Sequence, residues 1–308
     1  MAKKIIGLSC GRKNGNSENF LKTALMEAEK MGVQSEIVRV NELRVLPCSA
    51  CGGCGATGKC PKDDTDWILE NTLLANRDTG IIVSAPVYHV RTNGYLLCIS
   101  EKMNHLFRRD PDLFKRKKMG AAISVGGSGY DGWTSLGLPT MNLFLQHFCI
   151  LVDQIQINHC NAKGGALTPD NQWAIDRCKQ LGRNIVNALN TPAEQVSYMG
   201  EDTPVSCPVC HCNILYIEKD FPEIACPVCQ VHGTVNYIDY KYKVSWNTED
   251  AKHPRFSEAN ELHHAEWMKR HADEERPQIS LAETQEKIRM YDDYGKFIRP
   301  EKAGIESK

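Results

Sequence analysis

The 308-residue chain has no apolar run approaching the roughly 18 residues of a membrane-spanning helix. Its opening, MAKKIIGLSC, reads as a strand, without the charged head, apolar core and small-residue exit of a secretory signal. An excess of one charge is missing too. Thirty-seven Lys and Arg stand against 38 Asp and Glu, and a formal net charge of −1 excludes a generic polyanion binder. The only internal repetition is a pair of Cys-Pro-Val-Cys knuckles. The expectation is a cytoplasmic protein, away from membranes and nucleic acid, with enough apolar sequence for a sizeable core.

Cysteine, by contrast, is plentiful, with fourteen in the chain. In a reducing compartment, clustered thiols bind metal or do redox work more often than they form disulfides. Cys48, Cys51, Cys54 and Cys60 fall within thirteen residues, in PCSACGGCGATGKCPKDD. Gaps of two, two and five residues let a short loop wrap a compact centre, and four thiolates can hold a cubane iron–sulfur cluster. The small residues between them allow tight turns around a bulky inorganic core. A zinc ion, or a thiol-rich loop without metal, are the other readings. The second group is Cys207-Pro-Val-Cys210 with Cys226-Pro-Val-Cys229, a spacing that specifies a tetrahedral four-thiolate site. Zinc or a single iron fits it. His211 and Gln230 follow the knuckles where iron-binding, rubredoxin-like knuckles usually have Gly, which favours zinc. The segment's lysines are balanced by acids, so it offers no basic face for nucleic acid.

Residues 1–195 alternate strand and helix. Strands are expected at 5–9, 35–40, 80–88, 119–127 and 150–157. Helices are expected from a cap at Ser17 to about Met31, from a cap at Asp64 or Thr65, over 94–107, over 134–149, and from Thr168-Pro169 to about Asn190. Five strands separated by helices predict an α/β fold with a flavodoxin-like, doubly wound parallel sheet. The cysteine loop occupies 44–62 of this domain. A four-cysteine ribbon is expected over 203–245 and a charged helical tail over 246–308. In the tail, Trp246, Phe256, Leu262 and Trp267 are candidates to dock it on the body or on a second subunit.

After the first strand comes SCGRKNGNSEN (9–19), where the chain leaves the strand's carboxyl end, turns through glycines and enters a helix. Such a turn aims N–H groups at one spot and suits a phosphate. Arg12-Lys13-Asn14-Gly15-Asn16-Ser17 resembles the first loop of the NADPH-dependent FMN reductase family, which commonly reads Ser-Pro-Arg-Lys-Asn-Gly-Asn-Thr. Ala85-Pro86-Val87-Tyr88, the helix after Gly94, and Gly126-Gly127-Ser128-Gly129 resemble that family's later segments. The cysteine loop ending in Asp63-Asp64 is similar to that of its iron–sulfur flavoproteins. The resemblance covers about residues 3–190.

It implies that FMN lies over the carboxyl edge of the sheet. The phosphate would meet Arg12, Asn14, Asn16 and Ser17, with Ser9 as a further hydroxyl. The ring would lie near Pro86, Val87, Tyr88 and His89, with Gly126, Gly127, Ser128 and Gly129 on the other side. Cys48, Cys51, Cys54 and Cys60 would hold a 4Fe-4S cluster close by. The sequence departs from the family pattern at Cys10-Gly11 for Ser-Pro, at His89 for an aromatic residue, and at Glu101-Lys102 for Asp-Arg. The implied activity is electron transfer from ferredoxin or NAD(P)H to a small acceptor such as a quinone, an oxygen species or an electron-poor aromatic. His89 is the candidate proton donor and Tyr88 a packing residue at the reaction centre. A homodimer or homotetramer is implied as well. The alternative is an electron carrier or redox-responsive partner protein with no small substrate of its own.

Overall fold

The computed structural model describes residues 3–75, 78–103, 106–110, 112–113, 117–128, 132–292 and 294–295. The order of elements begins β1 (Lys4–Ser9), α1 (Asn16–Lys30), β2 (Gln34–Arg39), α2 (Gly53–Thr57), α3 (Thr65–Asn71) and β3 (Thr79–Tyr88). It continues with β4 (Arg91–Thr92), α4 (Gly94–Ser100), α5 (Leu106–Arg109), β5 (Lys118–Val125), α6 (Gly137–Leu145), β6 (Cys149–Ile157) and α7 (Gln172–Leu189).

The sheet order is β2-β1-β3-β5-β6, all parallel, and β4 pairs antiparallel with the end of β3. This is the flavodoxin-like order expected from alternating strands and helices. Central strands are apolar on both faces because both faces are covered. Leu8, Val83 and Ala122 pack under α3, α4 and α6 with Ile68, Leu96 and Phe144. Ile5, Ile82 and Val152 pack under α1 and α7 with Phe20, Leu21 and Ile185. The two helices on that face touch closely: a Cβ on Gly182 would stand 2.2 Å from the carbonyl oxygen of Ala24.

Three local expectations need correction, and one element is new. Helix α1 starts at Asn16 with Gly15 as its N-cap, so Ser17 lies inside the first turn and caps nothing. Asp64 precedes α3, but its carboxylate accepts from the Arg44 N–H (2.8 Å) and does not cap the helix. The helix expected over 94–107 ends at Ser100, with α5 as a separate short piece. The hairpin formed by β3 and β4 was not foreseen, because its turn residues are His89 and Val90 where Asn-Gly is the usual signal.

Three further strands, β7 (Glu223–Ala225), β8 (His232–Ile238) and β9 (Lys241–Trp246), form a small antiparallel sheet. Its core is built from Cys207, Cys210, Cys226 and Cys229 with Val228 and Val231. Carbonyl groups of the first knuckle accept from the main domain: Cys210 from Asn142 Nδ2 (2.9 Å) and His211 from Gln154 Nε2 (3.3 Å). The rings of His147 and Phe256 lie 3.9 Å apart. Residues Met1–Glu258 form one compact unit and Ala259–Lys308 a second. Helices α8 (Glu258–Ile279) and α9 (Ala282–Asp292) bury none of their residues. No helix among the described residues is long and apolar enough to cross a membrane.

The hairpin of β8 and β9 turns through Asp239 and Tyr240, at φ 53° and 59°. The left-handed conformation is costly for Tyr, and its side chain, 92% exposed, recovers little by packing. Tyr240→Gly is expected to stabilise the hairpin by about 1 kcal/mol. Slower amide exchange in β8 and β9 would show this; unchanged exchange would contradict it.

Candidate functional site

The loops that leave the carboxyl ends of β1, β3, β5 and β6 enclose a cavity of about 440 Å³, within the range of small-molecule sites. Arg12, Gly15, Asn16 and Ser17 form one side, Pro86 to His89 another, and Val125, Gly127 and Ser128 a third. Cys160 and Asn161, after β6, complete it. At its floor, α1 begins without a side-chain cap, so its first N–H groups and helix dipole are left for an anion. The Arg12 guanidinium stands beside that terminus, exposed.

Behind this loop lies a carboxylate with no exposure, Glu18. It accepts from Arg39 Nε (2.9 Å), Lys22 Nζ (2.7 Å), Ser9 Oγ (3.3 Å) and the Asn14 N–H (3.3 Å). Burial alone would raise its pKa, but the Arg39 and Lys22 cations and the Asn14 N–H outweigh burial and hold it down to about 2. Ser9 and Asn14 therefore have structural work here. Ser9 is fully buried with its hydroxyl on Glu18, the Asn14 amide oxygen accepts from Lys22 (2.8 Å), and neither lines the cavity. Asn16 does line it, but its amide is engaged with the loop after β6.

On the opposite side, His89 and Val90 form a two-residue turn with both φ angles positive, 53° and 75°. The Leu136 N–H donates to the Val90 carbonyl (3.2 Å) and holds this strained turn in place. Tyr88 is 61% exposed on the cavity wall. Gly126 and Gly127 allow close approach: a Cβ on either would fall 2.3 Å from the side chain of Thr134 or of Asn161, which would have to shift. Gly129 lies outside the described residues. Cys10 belongs to the core, with no exposure, and burial pushes its thiol far above the ordinary range. Asn161 is a cavity residue that sequence reasoning missed. The available signal was topological: a loop after the last parallel strand leaves by the same edge as the others.

The cysteine loop follows β2. Cys48, Cys51, Cys54 and Cys60 all line one small cavity of about 160 Å³, together with Glu101 and Lys102 of the adjoining segment. The loop is pinned by carboxylates, so no thiol is needed to shape it. Buried Lys102 pairs with Asp63 and also reaches Thr65 Oγ1 (3.1 Å). Asp63 accepts from the N–H groups of Leu46 (2.8 Å) and Thr65 (3.0 Å). Glu101 accepts from the Cys48 N–H (3.0 Å), and Asp66 from the Cys60 N–H. Burial would raise the pKa of Asp63, but Lys102 and the two N–H groups outweigh it and hold it down to about 2. The Gly53 N–H, and after it the Ser49 hydroxyl, lower the Cys51 thiol. Four thiols around one pocket is a donor set suited to a cluster, whose ligands stand farther apart than those of one ion.

In the ribbon, the Sγ atoms of Cys207, Cys210, Cys226 and Cys229 all lie within 4.8 Å of one another, buried, as a single tetrahedral ion requires. The knuckles turn alike. His211 and Gln230 have φ of 56° and 60°, and their N–H groups donate to Cys207 and Cys226, both at 2.9 Å. These non-glycine residues adopt the left-handed turn that Gly would supply. Their identity therefore carries less weight between zinc and iron than the sequence pattern implies.

Residues 3–160, just over half of the chain, match the family described as NADPH-dependent FMN reductase. An iron–sulfur flavoprotein of Methanocaldococcus jannaschii is 28% identical over 193 residues, 60% of this chain and 97% of that one. An iron–sulfur flavoprotein of Methanosarcina thermophila is 37% identical over 131 residues, 42% of this chain and 66% of that one. A solved structure titled flavone reductase has a TM-score of 0.76 at 21% identity, covering 97% of this chain and 100% of that one. This last likeness is one of fold, and at that coverage it extends through the ribbon into the helical tail.

The Lys102–Asp63 pair generates a test. A carboxylate whose pKa is depressed on folding contributes stability above its ordinary titration range, and that contribution is lost as pH falls through about 2. Side-chain carbon NMR of the metal-free chain should place the Asp63 titration near that value. In Lys102→Met the burial remains and the cation goes, so the titration should move upward. The loss of one partner should cost about 3–5 kcal/mol and speed exchange of the Leu46 and Cys48 amides. An unmoved Asp63 titration would contradict the pairing.

Proposed function

The chain belongs to the NADPH-dependent FMN reductase family and is an FMN-dependent oxidoreductase; we propose that it is of the iron–sulfur type, passing electrons from ferredoxin or NAD(P)H to a small acceptor. The carrying observation is the connection through α4. At its start, Asn93 donates from its N–H to the Pro86 carbonyl (3.1 Å) and from Nδ2 to the Cys10 carbonyl (2.6 Å), fixing the ring side of the cavity. Just past its end, Glu101 and Lys102 hold the cysteine loop. The eight helical rises from Asn93 to Glu101 span only about 12 Å, so the cysteine loop and the cavity wall are tied to one short rigid element.

In this reading Arg12 and the first N–H groups of α1 hold the FMN phosphate. Pro86, Val87, Tyr88 and His89 flank one side of the ring, with Gly126, Gly127 and Ser128 on the other, the glycines permitting close backbone approach. Ser9 and Asn14 act at one remove, by fixing Glu18. FMN when bound supplies two-electron chemistry that accepts single electrons, and a 4Fe-4S cluster on Cys48, Cys51, Cys54 and Cys60 supplies those single electrons. His89, exposed in its turn on the cavity wall, would give a proton from its ring to the acceptor. Tyr88 offers the acceptor a flat apolar face. In the ribbon, structural zinc on the four buried thiolates supplies folding energy to a segment too small for a core of its own.

A second reading is an electron carrier. The exposure of Cys48 and Cys51 favours it, since the cysteine loop meets solvent directly and a protein partner can approach it.

Anaerobic stopped-flow measurements on the flavin-loaded full chain test the proposal. Reduction by NADPH, NADH or reduced ferredoxin, followed by turnover with 1,4-benzoquinone, is the expected result. Reoxidation only by a protein acceptor would establish the carrier instead. His89→Asn keeps a residue that tolerates the left-handed turn. It is expected to lower turnover roughly 10²-fold, well beyond any change in flavin affinity from its place on the cavity wall; full turnover would remove His89 from the mechanism.

A further inference from the structure

Asn16 sits in the loop whose sequence suggests phosphate contacts, yet its side chain faces another way. The residue is 8% exposed. Its Nδ2 donates to the carbonyls of Cys160 and Ala162, both at 2.8 Å. Its Oδ1 accepts from the N–H groups of Gly164 (3.1 Å) and Ala166 (3.2 Å). A primary amide has two donor hydrogens and an oxygen with two lone pairs. All four are taken by one stretch of loop, so none remains for an anion.

That stretch is also a cavity wall. The Cys160 N–H donates to the Gly126 carbonyl (3.1 Å), and the Asn161 side chain occupies the space that a Cβ on Gly127 would need. Cys160 and Asn161 both face the cavity. A loop of this kind has little apolar area to fix it, and a side chain that satisfies four of its backbone groups sets its shape.

We propose that Asn16 is a positioning residue that holds the Cys160–Ala166 loop as the fourth wall of the flavin cavity, acting on the flavin through Asn161 and not as a phosphate ligand. This rests on the reading of the cavity as an FMN site. The two roles predict different losses. A phosphate ligand matters only to a flavin that carries phosphate. A wall matters equally to FMN and to riboflavin.

The test measures dissociation constants of FMN and riboflavin, by quenching of flavin fluorescence, for the full chain and for Asn16→Ala, Asn161→Ala and the double variant. Asn16→Ala should weaken both flavins by the same factor, roughly tenfold or more. Asn161→Ala should do likewise, and the double variant should lose less than the product of the single losses, because both act through one wall. Loss of FMN affinity with riboflavin affinity retained would overturn the proposal and make Asn16 a phosphate ligand. A lowered melting temperature with both affinities unchanged would overturn it as well, leaving a purely structural residue. Should Asn16→Ala fail to fold, Asn161→Ala decides alone: equal loss supports the wall, and no loss overturns it. A wild-type chain that binds neither flavin would instead sink the FMN reading of the cavity, and the proposal with it.

Discussion

Five strands that run the same way must send every outgoing loop to one edge of the sheet, and the rest of this structure depends on that. The helix start after β1, the strained turn after β3, the glycines after β5 and the loop after β6 meet there around one cavity. The cysteine loop leaves β2 by the same edge and is tied back by α4. Neighbourhood between this cavity and the cysteine loop thus follows from strand direction, before any particular side chain is considered.

Side chains then fix those loops, and buried carboxylates do most of it. Glu18 holds the turn after β1, and Asp63 with Lys102 holds the cysteine loop. In each case burial opposes ionisation, while cations and backbone N–H groups more than compensate. Among the described residues, the polar groups at the cavity include the guanidinium of Arg12, the Ser17 side chain and the first backbone N–H groups of α1. This division suits a site that must stay rigid with its donors unpaired.

Much of the fold was legible. Continuous apolar runs such as GIIVSAPVY announce buried parallel strands, and the five observed strands lie within a few residues of their expected positions. The cysteine groups were legible from spacing alone. Less legible was the use to which a polar residue is put. Ser9, Asn14 and Asn16 have the types and positions of phosphate ligands, yet their hydrogen bonds go to Glu18, Lys22 and the loop after β6. Those partners are brought near only by the tertiary fold, some 144 residues away in the case of Cys160. The hairpin at His89 and Val90 was illegible for a different reason. Val90 is β-branched and a poor left-handed turn former, and the turn is held by Leu136 from outside.

The central claim is a flavin and an iron–sulfur cluster on the same sheet edge, with a separate metal in the ribbon. Its most direct test is the metal and flavin content of anaerobically purified full chain, by elemental mass spectrometry and absorbance. The account predicts about four irons, one zinc and one flavin per chain. Zinc and flavin without iron would contradict it, and would leave the cysteine loop as a thiol-rich wall beside a plain flavin reductase.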